Sequence, residues 1–286
     1  MSDLRTVIIT GANSGLGFET AKKIAANKDY KVILACRNLE KGNNAKDTII
    51  DETGNENIIV MELDTSSLKS VRTFVDEFKK LDIKAYGLIN NAGISPMGHD
   101  GVSVDGIEIV CATNYLGHFL LTNLLLPYME DSGKIFNVAS DMHNPPGGIE
   151  WRDPEELFHP KENDRRKYSY SKLCSIYFTY ELDEILRNEG SDILVNAFNP
   201  GMMNTNFMGG HGSKIRTSMV KRKMPERVGD LDESSSALAE LTVNDKFKDS
   251  GKYYDRSTEY IDSSELSYNV ENRKDLWDKS ISVTGL

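Results

Sequence analysis

Cysteine is scarce: Cys36, Cys111 and Cys174 are the only three in 286 residues, none lies in a Cys-x-x-Cys spacing, and any disulfide scheme leaves one over. That usage excludes a disulfide-held framework and suits a reducing compartment, with the thiols read as small core residues. The five histidines are scattered without a His-x-x-x-His or comparable spacing, so no metal site is expected. The most apolar stretch, Leu116 to Leu126, is broken by His118, Thr122 and Asn123. It falls short of the ~20 residues that cross a bilayer, so it reads as a buried helix and no integral membrane segment is expected. A first strand beginning near Arg5 leaves no room for a signal peptide, which makes the cytoplasm the expected address. Positive charge is in deficit, the net charge being −10. A nucleic-acid surface is therefore disfavoured, because phosphate binding draws on clustered Lys and Arg. The one basic run, Lys214 to Arg227, is short and reads as a solvated loop or helix face.

What is present is an ordinary globular composition, 39% hydrophobic and 27% charged, without low-complexity runs or short repeats. Short apolar, β-rich runs recur at Thr6 to Thr10, Lys31 to Ala35, Asn57 to Met61, Tyr86 to Asn90, Lys134 to Val138 and Ile193 to Phe198, with a final strand around Lys252 to Tyr254. Helical patterns lie between them, among them Phe18 to Ala26, Leu68 to Phe78 and Lys172 to Leu186, and a last one falls near Asn272 to Lys279. Alternation of strand and helix, with strands too apolar to show a wet face, predicts an α/β fold. The expectation is one doubly wound domain over residues 1–286: a mostly parallel seven-stranded sheet with helices on both faces. Two segments break the rhythm. Asp141 to Lys167, with Pro145-Pro146-Gly147-Gly148, predicts a surface excursion. Asn204 to Pro225, mixing Met, Gly and basic residues, predicts a mobile substrate lid.

The first strand runs into Thr10-Gly11-Ala12-Asn13-Ser14-Gly15-Leu16-Gly17 and then into a helix. Such a turn lets backbone approach a pyrophosphate at a helix N-terminus, where free N–H groups and the helix dipole favour an anion. In dinucleotide sites an acidic residue about 20 positions on takes the ribose hydroxyls, whereas a nearby Arg suits a 2′-phosphate. Here the second strand ends Leu34-Ala35-Cys36-Arg37: Cys36 stands in the acidic place and Arg37 follows, which favours NADPH over NADH, with Lys41 a second phosphate contact.

Tyr168 and Lys172 stand four apart at the start of a predicted helix, so both side chains emerge on one face. A neighbouring ammonium favours phenolate and lowers the tyrosine pKa from its ordinary ~10, making the phenol a usable acid or base. Tyr170 has no Lys four residues on.

Taken in order, Gly11, Gly15 and Gly17, Asn90-Asn91-Ala92-Gly93, Asn114, Ser140, Tyr168 with Lys172, and Asn199-Pro200-Gly201 leading to Thr205 resemble the short-chain dehydrogenase/reductase family, with its Rossmann fold. The resemblance covers essentially the whole chain. It implies that Tyr168 exchanges a proton with a carbonyl oxygen, that Ser140 hydrogen-bonds that oxygen, and that Lys172 lowers the Tyr168 pKa and binds the nicotinamide ribose. Asn114 would hold a water relaying protons to Lys172. NADP(H) contacts would come from Gly11, Asn13, Ser14, Gly15, Leu16 and Gly17, from Arg37, from Asp64 near the adenine, from Asn91, Ala92 and Gly93, and from Pro200, Gly201 and Thr205 beside the carboxamide. The 28 residues from Ser140 to Tyr168, together with Ala35-Cys36-Arg37-Asn38 and Lys252-Tyr253-Tyr254, are similar to the branch of retinol dehydrogenases, WW-domain oxidoreductases and protochlorophyllide reductase. An apolar substrate is implied, and Met142, Met202, Met203, Phe207 and Met208 flank the site. Three readings stay open: carbonyl/alcohol chemistry, reduction of an activated C=C bond, and an NADP(H)-binding sensor without turnover. The family commonly pairs through the helices carrying Asn114 and Tyr168, so a homodimer buried on Leu116 to Leu126 is an expectation, with a monomer equally open.

Overall fold

The computed structural model describes residues 4–97, 99–160, 164–203 and 227–286. Seven strands lie parallel: β1 (Arg5–Thr10), β2 (Tyr30–Cys36), β3 (Ile58–Glu62), β4 (Ala85–Asn90), β5 (Met129–Val138), β6 (Leu194–Asn199) and β7 (Tyr253–Asp255). β8 (Tyr260–Ile261) turns back antiparallel on β7, giving the order β3-β2-β1-β4-β5-β6-β7-β8. The eighth strand goes beyond the seven expected; two residues are too short to carry a periodicity. Chain direction across the sheet reverses between β1 and β4, and there the carboxyl ends of adjacent strands leave a crevice.

One face of the sheet packs against α1 (Gly15–Ala25), α2 (Leu39–Thr53) and, late in the chain, Leu231–Val243; Ile24, Ile49, Leu238 and Leu241 close that core. The other face takes α3 (Leu68–Lys79), α4 (Ile109–Cys111), a π-helical turn Ala112–Leu116, α5 (Gly117–Leu125), α6 (Pro154–Phe158) and α7 (Lys167–Asn188). α8 (Leu231–Val243) and α9 (Val270–Thr284) complete the set. Lys134, buried at β5, donates to the Leu241 and Asn244 carbonyls at 3.0 and 2.8 Å, so a cation sits against the negative end of α8. Burial lowers its ammonium to about 8.

The helix expected at Leu116 to Leu126 is longer than its apolar stretch. It runs Ile109–Tyr128, long and apolar enough to cross a membrane by length and composition, yet 78% of its most apolar window is buried inside the fold, as a core helix would be. Leu116, Phe119, Leu120, Leu121 and Leu125 have no exposed surface. Phe158 of α6 stacks on Tyr115 and Trp277 of α9 packs edge-on against Phe119, with ring centroids 6.4 and 5.0 Å apart. Part of the stretch expected to bury a homodimer is thus covered by Trp277 of the chain's own α9. The excursion after β5 holds a 3-10 turn, Asp141–His143, and the short α6. The proposed lid, 204–225, lies outside the described residues, as do Thr205, Phe207 and Met208.

Candidate active site

Two strand ends form the floor of the crevice. Gly11 and Gly15 take φ of +65° and +58°, conformations that a side chain disfavours. A Cβ on Gly17 would stand 2.5 Å from Asn91 Nδ2 and 2.8 Å from the Gly11 carbonyl. Ser14 precedes α1 without capping it, so amides of the first turn lack a side-chain partner and can face an anion. Leu16 is packed in the core and only its backbone remains for a ligand. This cradle fits a dinucleotide pyrophosphate. Asn91 fastens β4 to the turn: its amide and that of Ala92 each donate to Thr10 Oγ1 at 2.8 Å, and its Nδ2 donates to the Thr10 carbonyl at 2.8 Å.

Thr10 meets a histidine that sequence reasoning passed over as a helix residue. His118 Nδ1 lies 3.2 Å from the Asn114 carbonyl, which can only accept, so Nδ1 carries the proton. Nε2 then accepts from the Thr10 hydroxyl at 2.9 Å. Burial, the largest influence, pushes this imidazole down to about 3, so it stays neutral. The available signal was its place one helical turn beyond Asn114. Asn114 in turn accepts from the Ile94 amide at 2.8 Å and donates to the Ile94 carbonyl and the Ser171 hydroxyl, both at 3.1 Å. Under it runs a buried ladder: Asn90 donates to Thr122 and Asn137, and Asn137 to Thr179.

Tyr168 and Lys172 emerge together, with Nζ 5.7 Å from the Tyr168 ring centroid. Lys172 is buried and donates to the Val138 carbonyl at 2.7 Å; desolvation lowers it to about 8. Tyr168 hydrogen-bonds with Ser140, so three of the expected residues meet, while Ser171 ties the fourth, Asn114, to the same helix turn. One expectation needs correcting. The Tyr168 phenol is raised, not lowered: exclusion of water outweighs the Ser140 hydrogen bond, and Asp141 adds to the rise. His143, one turn past Ser140, is buried: Nδ1 donates to the Ser140 carbonyl at 2.7 Å and Nε2 accepts from the Ser264 amide at 3.0 Å.

Arg37 is exposed at the end of β2 and makes no hydrogen bond or ion pair among the described residues. Its neighbour Cys36 is buried, with its thiol against the Ala12 and Asn13 amides and raised to about 11, chiefly by burial. Asp64 accepts from the Ser66 amide and hydroxyl at 2.9 and 2.6 Å, so one carboxylate oxygen caps its own loop. Gly201 takes φ of +69° and its amide donates to Asn199, while the Pro200 carbonyl accepts from Ser234. A cavity of about 270 Å³ opens on the other flank of α7, at Lys167, Tyr170 and Ser171; Lys167 there pairs with Asp100 and Arg152 with Asp164.

Comparison with known proteins gives the family. A short chain dehydrogenase family model matches residues 5–148. Retinol dehydrogenase 13 of Homo sapiens is 36% identical over 99% of this chain and 85% of its own length. Polyprenol dehydrogenase of Homo sapiens is 31% identical, over 99% and 86%. Among solved structures, an uncharacterized protein from Mycobacterium paratuberculosis superposes with a TM-score of 0.72 at 32% identity, covering 98% of this chain and 93% of that one.

Proposed function

The chain belongs to the short-chain dehydrogenase family, in a retinol dehydrogenase-like branch, and from that premise we propose an NADPH-dependent oxidoreductase acting between the carbonyl and alcohol forms of an apolar small molecule. The observation that carries the reading is the meeting of Tyr168 with Ser140 and Lys172 beside Asn114. When bound, the nicotinamide supplies the hydride in reduction and takes it back in oxidation. Tyr168 gives its phenolic proton to the carbonyl oxygen, and Ser140, turning its one proton from Asp141, donates to the same oxygen where negative charge develops. Lys172, in its charged form, would favour a phenolate beside it and hold the ribose. Asn114 orients the Ile94 backbone and Ser171, and would position a water for Lys172.

Gly11, Asn13, Ser14, Gly15, Leu16 and Gly17 would hold the pyrophosphate. Asp64 would lie near the adenine, with Asn91, Ala92, Gly93, Pro200, Gly201 and Thr205 on the nicotinamide side. NADPH rather than NADH is supported by Arg37, exposed and without a partner among the described residues, beside a buried Cys36 where a ribose-binding carboxylate would stand. An apolar substrate is supported by Met142, whose amide bonds Ser140 Oγ at the site, and by relatives whose names specify retinol and polyprenol. The test is NADPH consumption over a panel of hydrophobic aldehydes, ketones and enones, with products identified. Reduction to alcohols supports the reading; saturated products with the carbonyl intact would move the chain to C=C chemistry, and no consumption by any compound would sink it.

A further inference from the structure

A serine hydroxyl has one proton to give. Ser140 Oγ accepts from the Met142 amide at 3.1 Å and donates to Asp141 Oδ1 at 3.3 Å, so its proton is directed to a carboxylate next to it in sequence. The other carboxylate oxygen, Oδ2, is sealed from solvent with no hydrogen-bond partner among the described residues, and Arg227 Nη1 stands 3.6 Å away. The remaining ionisable neighbours do little to neutralise it. Arg256 is paired with Asp255, Tyr253 presents a buried hydroxyl without a partner among the described residues, and Lys172 is turned to the Val138 carbonyl. A Tyr168 phenolate would need the same Ser140 proton, so Asp141 competes with it directly and repels its charge as well.

From this geometry we infer that Asp141 is a positioning residue: by holding the Ser140 proton it keeps Tyr168 in the phenol form, and so sets the pH above which the site can oxidise an alcohol. The inference rests on the reading of Tyr168 as the proton-transfer group. An enzyme leaves the overall equilibrium unchanged, so the effect falls on the pH dependence of each direction. Burial raises the Asp141 carboxyl, and the field of Arg227 and the Ser140 hydrogen bond pull it partly back.

The test is ultraviolet titration of phenolate in the full chain, in Asp141→Asn and in Asp141→Glu, each subtracted from its matching Tyr168→Phe partner so that one phenol is read. We expect the midpoint in Asp141→Asn to fall by about half a pH unit or more, as removal of a nearby like charge requires, with Asp141→Glu close to the parent. Equal midpoints in the parent and Asp141→Asn would overturn the inference. The titration needs no turnover, so it stands even if no substrate is found and the enzymatic reading fails. With a substrate in hand, the rising limb of alcohol oxidation should move by the same amount; movement of the limb without movement of the phenol would place the effect elsewhere and also overturn it.

Discussion

The two sides of the crevice are built from different groups, neutral on one and ionisable on the other. On the glycine-turn side, Thr10 Oγ1 accepts from the Asn91 and Ala92 amides and donates to His118 Nε2, and Asn91 Nδ2 donates to the Thr10 carbonyl, so neutral groups tie the turn to β4 and α5. On the catalytic side, Asp141 Oδ2 and the Tyr253 hydroxyl are buried without hydrogen-bond partners among the described residues, and Tyr168 is held away from its ionised form. A closed floor presents fixed amides and binds by preorganisation. A wall of buried ionisable groups instead acts through the proton each one holds or gives up.

The strongest way to break this contrast is Tyr168→Phe. Turnover should fall by about a thousandfold while the NADPH dissociation constant, measured by fluorescence titration, moves by less than about threefold. A matching loss of cofactor affinity would mean that the two sides are not separable. Gly17→Ala probes the floor: the added methyl would meet Asn91 and the Gly11 backbone, and should cost about 1–3 kcal/mol by denaturant melts as well as weaken NADPH.

His118 sharpens the comparison through pH. Its folded-state value of about 3 lies below the ordinary 6.5, so the unfolded chain binds a proton that the folded chain refuses. Stability should be full above about pH 6.5 and decline as pH falls toward 3, by up to about 3 kcal/mol at pH 4. His118→Gln, measured by urea melts at pH 7 and pH 4.5, should flatten that decline. The smallest effect is expected from Arg37→Ala, with NADPH binding weakened about tenfold and NADH binding unchanged, since one charge-assisted contact is lost.

Seven parallel strands were legible because strands buried on both faces must be continuously apolar, and Tyr168 with Lys172 was legible because four residues make one helical turn. Other features arise only when distant segments meet. The partner of His118 is Thr10, 108 residues away, and no local pattern announces it. The aromatic contact of Trp277 in α9 with Phe119 joins residues far apart in sequence, and α9 comes from polar-looking sequence. The sign of the Tyr168 shift was missed because spacing reveals the ammonium and not the exclusion of water around the phenol.

The last helix carries a consequence for anyone handling this protein. Trp277 lies on both Phe119 and Phe178, Arg273 sits 2.7 Å from Glu181, and Arg72 reaches the Thr284 and Gly285 carbonyls at 2.7 and 3.1 Å. The helices so gripped are the ones that bear Asn114 and Tyr168. α9 therefore behaves as a keystone, and changes to it would be felt at the helices that carry the reaction centre.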